Sequence, residues 1–242
     1  MPTEERTRQA GTLFLIPTLL GEASPDSSLP PLLGRAIGRL THFLVEDEKN
    51  ARAFIRVVAP HVNLRELVLE RLDEHTPPSD IPRLMKPLQA GIDMGVLSDA
   101  GCPAVADPGS LVVRRAHELG IPVRPLVGPC SMLLGLMASG LSGQRWRFVG
   151  YLPVDDAERA NAIKRLEHEV SRLGETQIVM ETPYRNQKLL DDLLRHCTPE
   201  TRLCVASAVT TPAELIQSHT IEEWRKLGRS LPKTPTVFLL GR

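Results

Sequence analysis

Leu97–Ser110 reads LSDAGCPAVADPGS, and the interpretation of that stretch decides the fold. It follows the apolar, β-type run MGV and precedes LVVRRAHEL, whose apolar residues recur at helical spacing. Open α/β sheets bind ligands in such loops, outside the carboxyl ends of their strands. Gly101 lets the backbone approach a ligand closely, and Pro103 and Pro108 stiffen the turn. Asp99 and Asp107 add carboxylates suited to the polar groups of an amino acid or a ribose. Taken alone, Asp107-Pro108-Gly109-Ser110 reads equally well as a helix start, with Asp107 accepting exposed N–H groups. The length of the whole loop argues for more than a turn.

Two further loops share this character. Ile16–Glu22 (IPTLLGE) follows the run TLFLI, and Leu126–Met132 (LVGPCSM) follows VRPLV and opens a helix. Gly128-Pro129 ahead of Cys130 and Ser131 leaves free backbone N–H groups at a helix start, where a carboxylate or similar acceptor is held. The strand candidates are Thr12–Ile16, His42–Glu46, Met94–Ser98, Val123–Val127, Arg147–Tyr151, Thr176–Glu181, Arg202–Ser207 and Thr236–Gly241. Several are apolar on both faces, as in sheets covered by helices on both sides. Helical spacing marks Leu111–Leu119, Ser131–Ala138, Asp156–Leu173 and Tyr184–His196. The alternation predicts an α/β architecture. A joint is expected in Leu141–Trp146, between α/β domains at 11–143 and 144–242, after a disordered tail at 1–10.

The 242 residues carry 29 Lys plus Arg and 29 Asp plus Glu, so the formal net charge is zero and no strongly basic nucleic-acid footprint is indicated. The four cysteines form no CxxC pair and no Cys/His cluster of zinc spacing, so reduced thiols and no metal are expected. The opening MPTEERTRQA is too polar for a signal peptide, and no apolar run is long enough to span a membrane. A soluble, cytoplasmic protein is expected. No dinucleotide fingerprint, P-loop, nucleophile elbow or HExxH motif is present.

In order along the chain stand GTLFLIPT (Gly11–Thr18), VED (Val45–Asp47), LSDAGCPAVADPG (Leu97–Gly109), LVGPCS (Leu126–Ser131), GYLP (Gly150–Pro153) and TPTVFLL (Thr234–Leu240). This series resembles the tetrapyrrole methylase superfamily, the class III S-adenosylmethionine-dependent methyltransferases, and within it the ribosomal RNA small subunit methyltransferase I subfamily. The resemblance implies two α/β domains with a cofactor cleft between them, S-adenosylmethionine as cofactor and a homodimer. Carried over by position, it implies cofactor contacts from Pro17, Leu20, Asp99, Gly101, Cys102, Val105, Cys130 and Ser131, and from Thr182, Ala208 and Thr236 in the second domain. The subfamily reads E-D-T-R-x-T after its second strand, whereas Glu46-Asp47-Glu48-Lys49-Asn50-Ala51 stands here. The segment between Val62 and Met94 also departs from the pattern.

The implied activity is methyl transfer to the 2′-hydroxyl of a cytidine in small-subunit ribosomal RNA or to a related acceptor. Two other readings stay open: methylation of a tetrapyrrole-like small molecule, and S-adenosylmethionine binding without turnover. A hydroxyl is a poor nucleophile and is helped by a general base. The candidates are Glu46, Asp47, Asp99 and Glu181. Glu46 and Asp47 are adjacent at a strand end and point to opposite faces, so one of them is expected to cap the following helix. Arg35, Arg39, Arg52 and Arg56, expected on two helices, and Arg145, Arg147 and Arg185 are candidate phosphate ligands; solvated surface is the plainer reading of each. Trp146 and Trp224 are read as packing anchors.

Overall fold

A computed structural model describes residues 10–242. The expected tail therefore lies outside the described residues except for Ala10, which packs against the core of the first unit. The chain divides into two compact units after Pro129.

The first unit is a five-stranded parallel sheet in the order β3-β2-β4-β1-β5. Its elements run β1 (Leu13–Ile16), α1 (Leu32–Ile37), β2 (His42–Val45), α2 (Glu48–Val58), β3 (Val68–Arg71), α3 (Ile81–Leu84), α4 (Lys86–Gln89), β4 (Met94–Leu97), α5 (Gly109–Glu118) and β5 (Val123–Pro125). Alternation along the strands feeds two cores. Leu13, Leu44, Met94 and Val96 pack with Val112 and Ala116 of α5, while Ile16, Phe43, Val45 and Leu97 pack with Ile37 of α1 and Ile55 of α2. A sheet clothed on both faces leaves its strand ends as the accessible edge, and the loops emerge there.

The second unit comprises α6 (Ser131–Ser139), β6 (Trp146–Tyr151), α7 (Asp156–Leu173), β7 (Thr176–Glu181), α8 (Asn186–His196), β8 (Arg202–Ser207), β9 (Leu215–Thr220), α9 (Ile221–Leu227) and β10 (Thr236–Gly241). The sheet order is β6-β7-β10-β8-β9; β6 runs parallel to β7 and the other pairings are antiparallel. Asp155 caps α7 through the N–H groups of Ala157 and Glu158, and Gly174 ends it at φ +62°. Leu166, Leu193 and Trp224, from the three helices on one face, share a core with Val205 and Phe238. The other face is covered by α6, where Gly135 sits so close that an added Cβ would stand 3.0 Å from Val237 Cγ2. That packing ties α6 to the second sheet and moves the division of the chain to Pro129, upstream of the joint expected at Leu141–Trp146.

The segment between Val62 and Met94 holds β3, paired in parallel with β2, and two short helices. Neither β3 nor β9 is legible as an apolar run. Each is an edge strand, and partly exposed positions carry its polar residues. Arg39 lies beyond the end of α1 rather than on it.

Trp224 is 1% exposed and donates from Nε1 to the Leu203 carbonyl at 2.8 Å, so it is the anchor expected. Trp146 is not: it is 38% exposed, on edge strand β6. Replacing Trp224 by Ala should lower stability by about 3–5 kcal/mol. Replacing Trp146 by Ala should cost about 1 kcal/mol or less. Urea unfolding followed by circular dichroism separates the two.

Candidate active site

The parallel sheet of the first unit sends the loops after β1, β2, β4 and β5 out along one edge. Ile16 and Val45 both pair with Leu97, so three of these strands end level. The three loops singled out by sequence meet there. Thr18 donates from its backbone N to the Gly101 carbonyl at 2.9 Å and from Oγ1 to the Ser98 carbonyl at 3.1 Å, joining the first loop to the central one. Gly128 in the third loop lies against Pro17 with no room for a methyl group, and Cys102 Sγ is 3.4 Å from the Pro129 carbonyl oxygen.

The central loop is strained. Gly101 has φ +79°, and two alanines, Ala104 and Ala106, sit at +65° and +59°. A left-handed non-glycine residue costs on the order of 1–3 kcal/mol and persists only where its surroundings hold it. Asp107 is part of the hold: its Oδ1 accepts from Ala104 N at 2.6 Å and from Gly109 N at 2.7 Å. It thereby stabilises the loop and the start of α5, as the helix-start reading requires. Burial raises the pKa of its carboxyl above the usual aspartate range, against the pull of these two bonds.

The carboxylates at this edge have separate roles. Asp47 caps α2, accepting from Asn50 N at 2.8 Å, which makes it the structural member of the pair. Glu46 Oε1 accepts from Asp99 N at 2.9 Å, and Asn50 Nδ2 donates to Asp99 Oδ1 at 3.3 Å. Partial burial raises the Glu46 pKa, with repulsion from Asp107, Asp99 and Asp73 adding to it and the Asp99 N–H opposing. Glu46, one of the four base candidates, therefore has surroundings that favour taking up a proton. Glu46, Asp47 and Asp99 border two concavities. The larger, about 520 Å³, lies among the first loop, α2 and Leu97–Ala100. The smaller, about 380 Å³, reaches Asp73, His75 and Asp107.

Of the other expected contacts in this unit, Leu20 lines the larger concavity, and its Cδ2 would lie 3.0 Å from a Cβ added to Gly101. Pro17 is buried, Cys102 half-buried, and Val105 46% exposed at the tip of the central loop.

In the second unit, Thr182 follows β7, Ala208 follows β8 and Thr236 opens β10. Thr236 pairs with both Glu181 and Ser207, so the three residues gather at one end of that sheet. Ala208 and Thr210 there have φ +48° and +70°, a second strained turn. Cys130 is the extended N-cap of α6 without a side-chain cap bond, so neither it nor Ser131 closes off the helix's first N–H groups. Glu181 fits a base poorly. It is buried, its Oε1 accepts from Thr182 N at 2.7 Å, and its Oε2 is ion-paired with Arg185 at 3.0 Å. Arg185 is thereby engaged within its own unit.

Thr18, Asn50 and Asn186 escaped the sequence reading. Asn186, fully buried, donates to the Thr234 carbonyl at 2.7 Å and to Thr236 Oγ1 at 3.0 Å, which also lies 2.7 Å from Ser207 Oγ. The spacing Asp47-x-x-Asn50 was a readable signal for a capped helix start. Nothing local marks Thr18 or Asn186, whose partners are far away in sequence.

A family model for tetrapyrrole (corrin/porphyrin) methylases matches residues 34–224. The chain belongs to the tetrapyrrole methylase family. It is an S-adenosylmethionine-dependent methyltransferase. Over 214 residues this methylase is 32% identical to a ribosomal RNA small subunit methyltransferase I from Pseudomonas aeruginosa, covering 88% of this chain and 72% of that protein. The protein of the same name from Vibrio cholerae is 28% identical over 226 residues, covering 91% and 73%. Among solved structures, the methylase resembles uroporphyrin-III-C-methyltransferase from Thermus thermophilus, with TM-score 0.55, 21% identity and coverage of 96% and 92%. It also resembles the methyltransferase CobJ, with TM-score 0.61, 19% identity and coverage of 96% and 94%. At these identities the two structures speak to the fold alone. No described helix is long and apolar enough to cross a membrane, and no metal-binding cluster of His, Cys, Asp or Glu occurs among the described residues.

A raised folded-state pKa means that ionised Glu46 costs stability above the ordinary glutamate pKa, and that the cost fades as acid protonates the group. Glu46→Gln keeps an oxygen for the Asp99 N–H and removes the charge. The variant should therefore be more stable than the parent at pH 7, with the difference vanishing near about pH 4. Thermal unfolding across that range checks the sign.

Proposed function

We propose that this methylase transfers the methyl group of S-adenosylmethionine to the 2′-hydroxyl of a cytidine in small-subunit ribosomal RNA. The observation that carries the reading is the strained central loop, pinned by Thr18 and Asp107 beside the Glu46 carboxylate. The names and coverage of the relatives supply the acceptor.

The residues suit the cofactor. Gly101 leaves the backbone bare where a nucleoside is to lie close, Leu20 supplies apolar lining and Asp99 offers a carboxylate to polar groups. Pro17, Cys102 and Val105 complete the proposed contacts of the first unit. From the second unit the proposal takes Cys130 and Ser131, at the uncapped start of α6, with Thr182, Ala208 and Thr236 at the strand ends. Bound S-adenosylmethionine supplies an already activated methyl group, so alignment of donor and acceptor dominates the task left to the protein. Glu46 accepts the hydroxyl proton, its raised pKa making it a better base than an ordinary surface carboxylate. The functional protein is proposed to be a cytoplasmic homodimer.

Radiolabelled S-adenosylmethionine, incubated with RNA and small-molecule fractions from cells lacking the protein, tests the acceptor. Label in small-subunit ribosomal RNA is expected. Label confined to small molecules would replace RNA with a tetrapyrrole-like acceptor, and binding without transfer would leave a non-catalytic role. For the cofactor, Gly101→Val forces a β-branched residue to φ +79° against Leu20. It should weaken S-adenosylhomocysteine binding at least tenfold while unfolding stays cooperative. Undiminished affinity by calorimetry would remove the central loop from the site.

A further inference from the structure

The zero net charge conceals a segregation within the first unit. Glu46, Asp47, Asp73, Glu74, Asp99 and Asp107 gather around the smaller concavity. Arg71, which also lines it, is ion-paired to Asp73 at 2.6 Å, and a group of largely unpaired cations lies elsewhere. On α2, Lys49, Arg52 and Arg56 stand at i, i+3 and i+7, which places them in one stripe along the helix. Beside this stripe lies α1, carrying Arg35 and followed by Arg39. Gly34 abuts the Val58 carbonyl at the end of α2, and Gly38 abuts His61, each with no room for a Cβ. Arg52 donates to the Leu64 carbonyl at 2.6 Å, and Arg65 is the next residue along the chain. Among the described residues, only Arg52 of these six cations is ion-paired, to Glu48 at 3.8 Å. Arg35, Arg39, Lys49, Arg56 and Arg65 are exposed.

The stripe borders the larger concavity. Asn50, Ala53, Phe54 and Val57, on the adjoining face of α2, form that cavity's wall, and Val57 is 60% exposed. Glu46 lies at the same cavity. Unpaired cations beside a hollow lined by apolar side chains, with the carboxylates of Glu22, Glu46, Asp47 and Asp99 also on its lining, match a polyanion from which one nucleoside is turned inward. Phosphates sit on the cations, and the base lies against apolar side chains.

We propose that the α1–α2 face, with Arg35, Arg39 and Arg56 at its centre, binds the RNA backbone and delivers the acceptor nucleoside to the concavity at Glu46. This rests on the RNA reading of the proposed function. The carboxylates around Glu46 repel phosphate, so the chain is held by the flanking cations and kept off the strand-end edge except where a nucleoside enters.

The test is a salt titration of binding to an in vitro transcript of small-subunit ribosomal RNA. It compares the parent protein, the triple variant R35Q/R39Q/R56Q and a control, R114Q/R195Q/R229Q, which neutralises three exposed arginines elsewhere. The α1–α2 triple variant is expected to bind RNA at least tenfold more weakly, with a salt slope shallower by about 2, at roughly 0.7 per lost phosphate contact. Its S-adenosylhomocysteine affinity should be unchanged, which also confirms folding, and the control should bind like the parent. Parental affinity and slope in the α1–α2 variant, or an equal loss in the control, overturns the assignment of this face. A parent protein that binds S-adenosylhomocysteine but no RNA overturns the RNA reading itself, a result distinct from the other two.

Discussion

The site depends on two hydrogen bonds from one threonine. Thr18 reaches across 80 residues of sequence to the carbonyls of Ser98 and Gly101, and so fixes the central loop to the first. A parallel sheet makes the contact available by ending β1 and β4 side by side, but parallelism alone leaves two loops free to splay. With Thr18 in place, Ser98 turns its hydroxyl to the Gly101 carbonyl at 3.2 Å, and Asp107 holds the next turn by two backbone amides. The left-handed alanines are tolerable only inside this frame. The third loop then closes on Pro17 because Gly128 has no side chain to keep it away.

A loop held in this way offers its main chain to a ligand at little entropic cost on binding, since the ordering has already been met in folding. The same edge holds carboxylates whose roles their hydrogen bonds separate. Asp47 serves the helix and Asp107 serves the loop. Glu46, raised in pKa by burial and by its acidic neighbours, is the group proposed as base. Crowding carboxylates is unfavourable for stability, a cost that functional edges commonly carry.

Much of this was legible in sequence, for definable reasons. Apolar strands such as Met94–Leu97, and helices with strong periodicity and recognisable caps such as Asp156–Leu173, announce themselves through local chemistry. The glycine- and proline-rich loops stood out as a candidate site because such composition has few other uses beside a buried strand, and they meet at one edge of the first sheet. The edge strands β3 and β9 were not legible, because partial exposure permits polar residues that break the apolar pattern. Nor was the division at Pro129, which depends on where Gly135 allows α6 to nestle. Adjacency alone showed that one of Glu46 and Asp47 would be structural; the bond from Asn50 N was needed to identify Asp47. Thr18 and Asn186 work through partners distant in sequence and left no local trace.

Backbone hydrogen exchange across residues 97–110, with and without S-adenosylhomocysteine, addresses the centre of the account most directly. Ligand-induced protection concentrated at Gly101–Ala106, together with Thr18, is the expected result. Saturating ligand that leaves exchange in this loop unchanged, or protects only amides elsewhere in the chain, would contradict it.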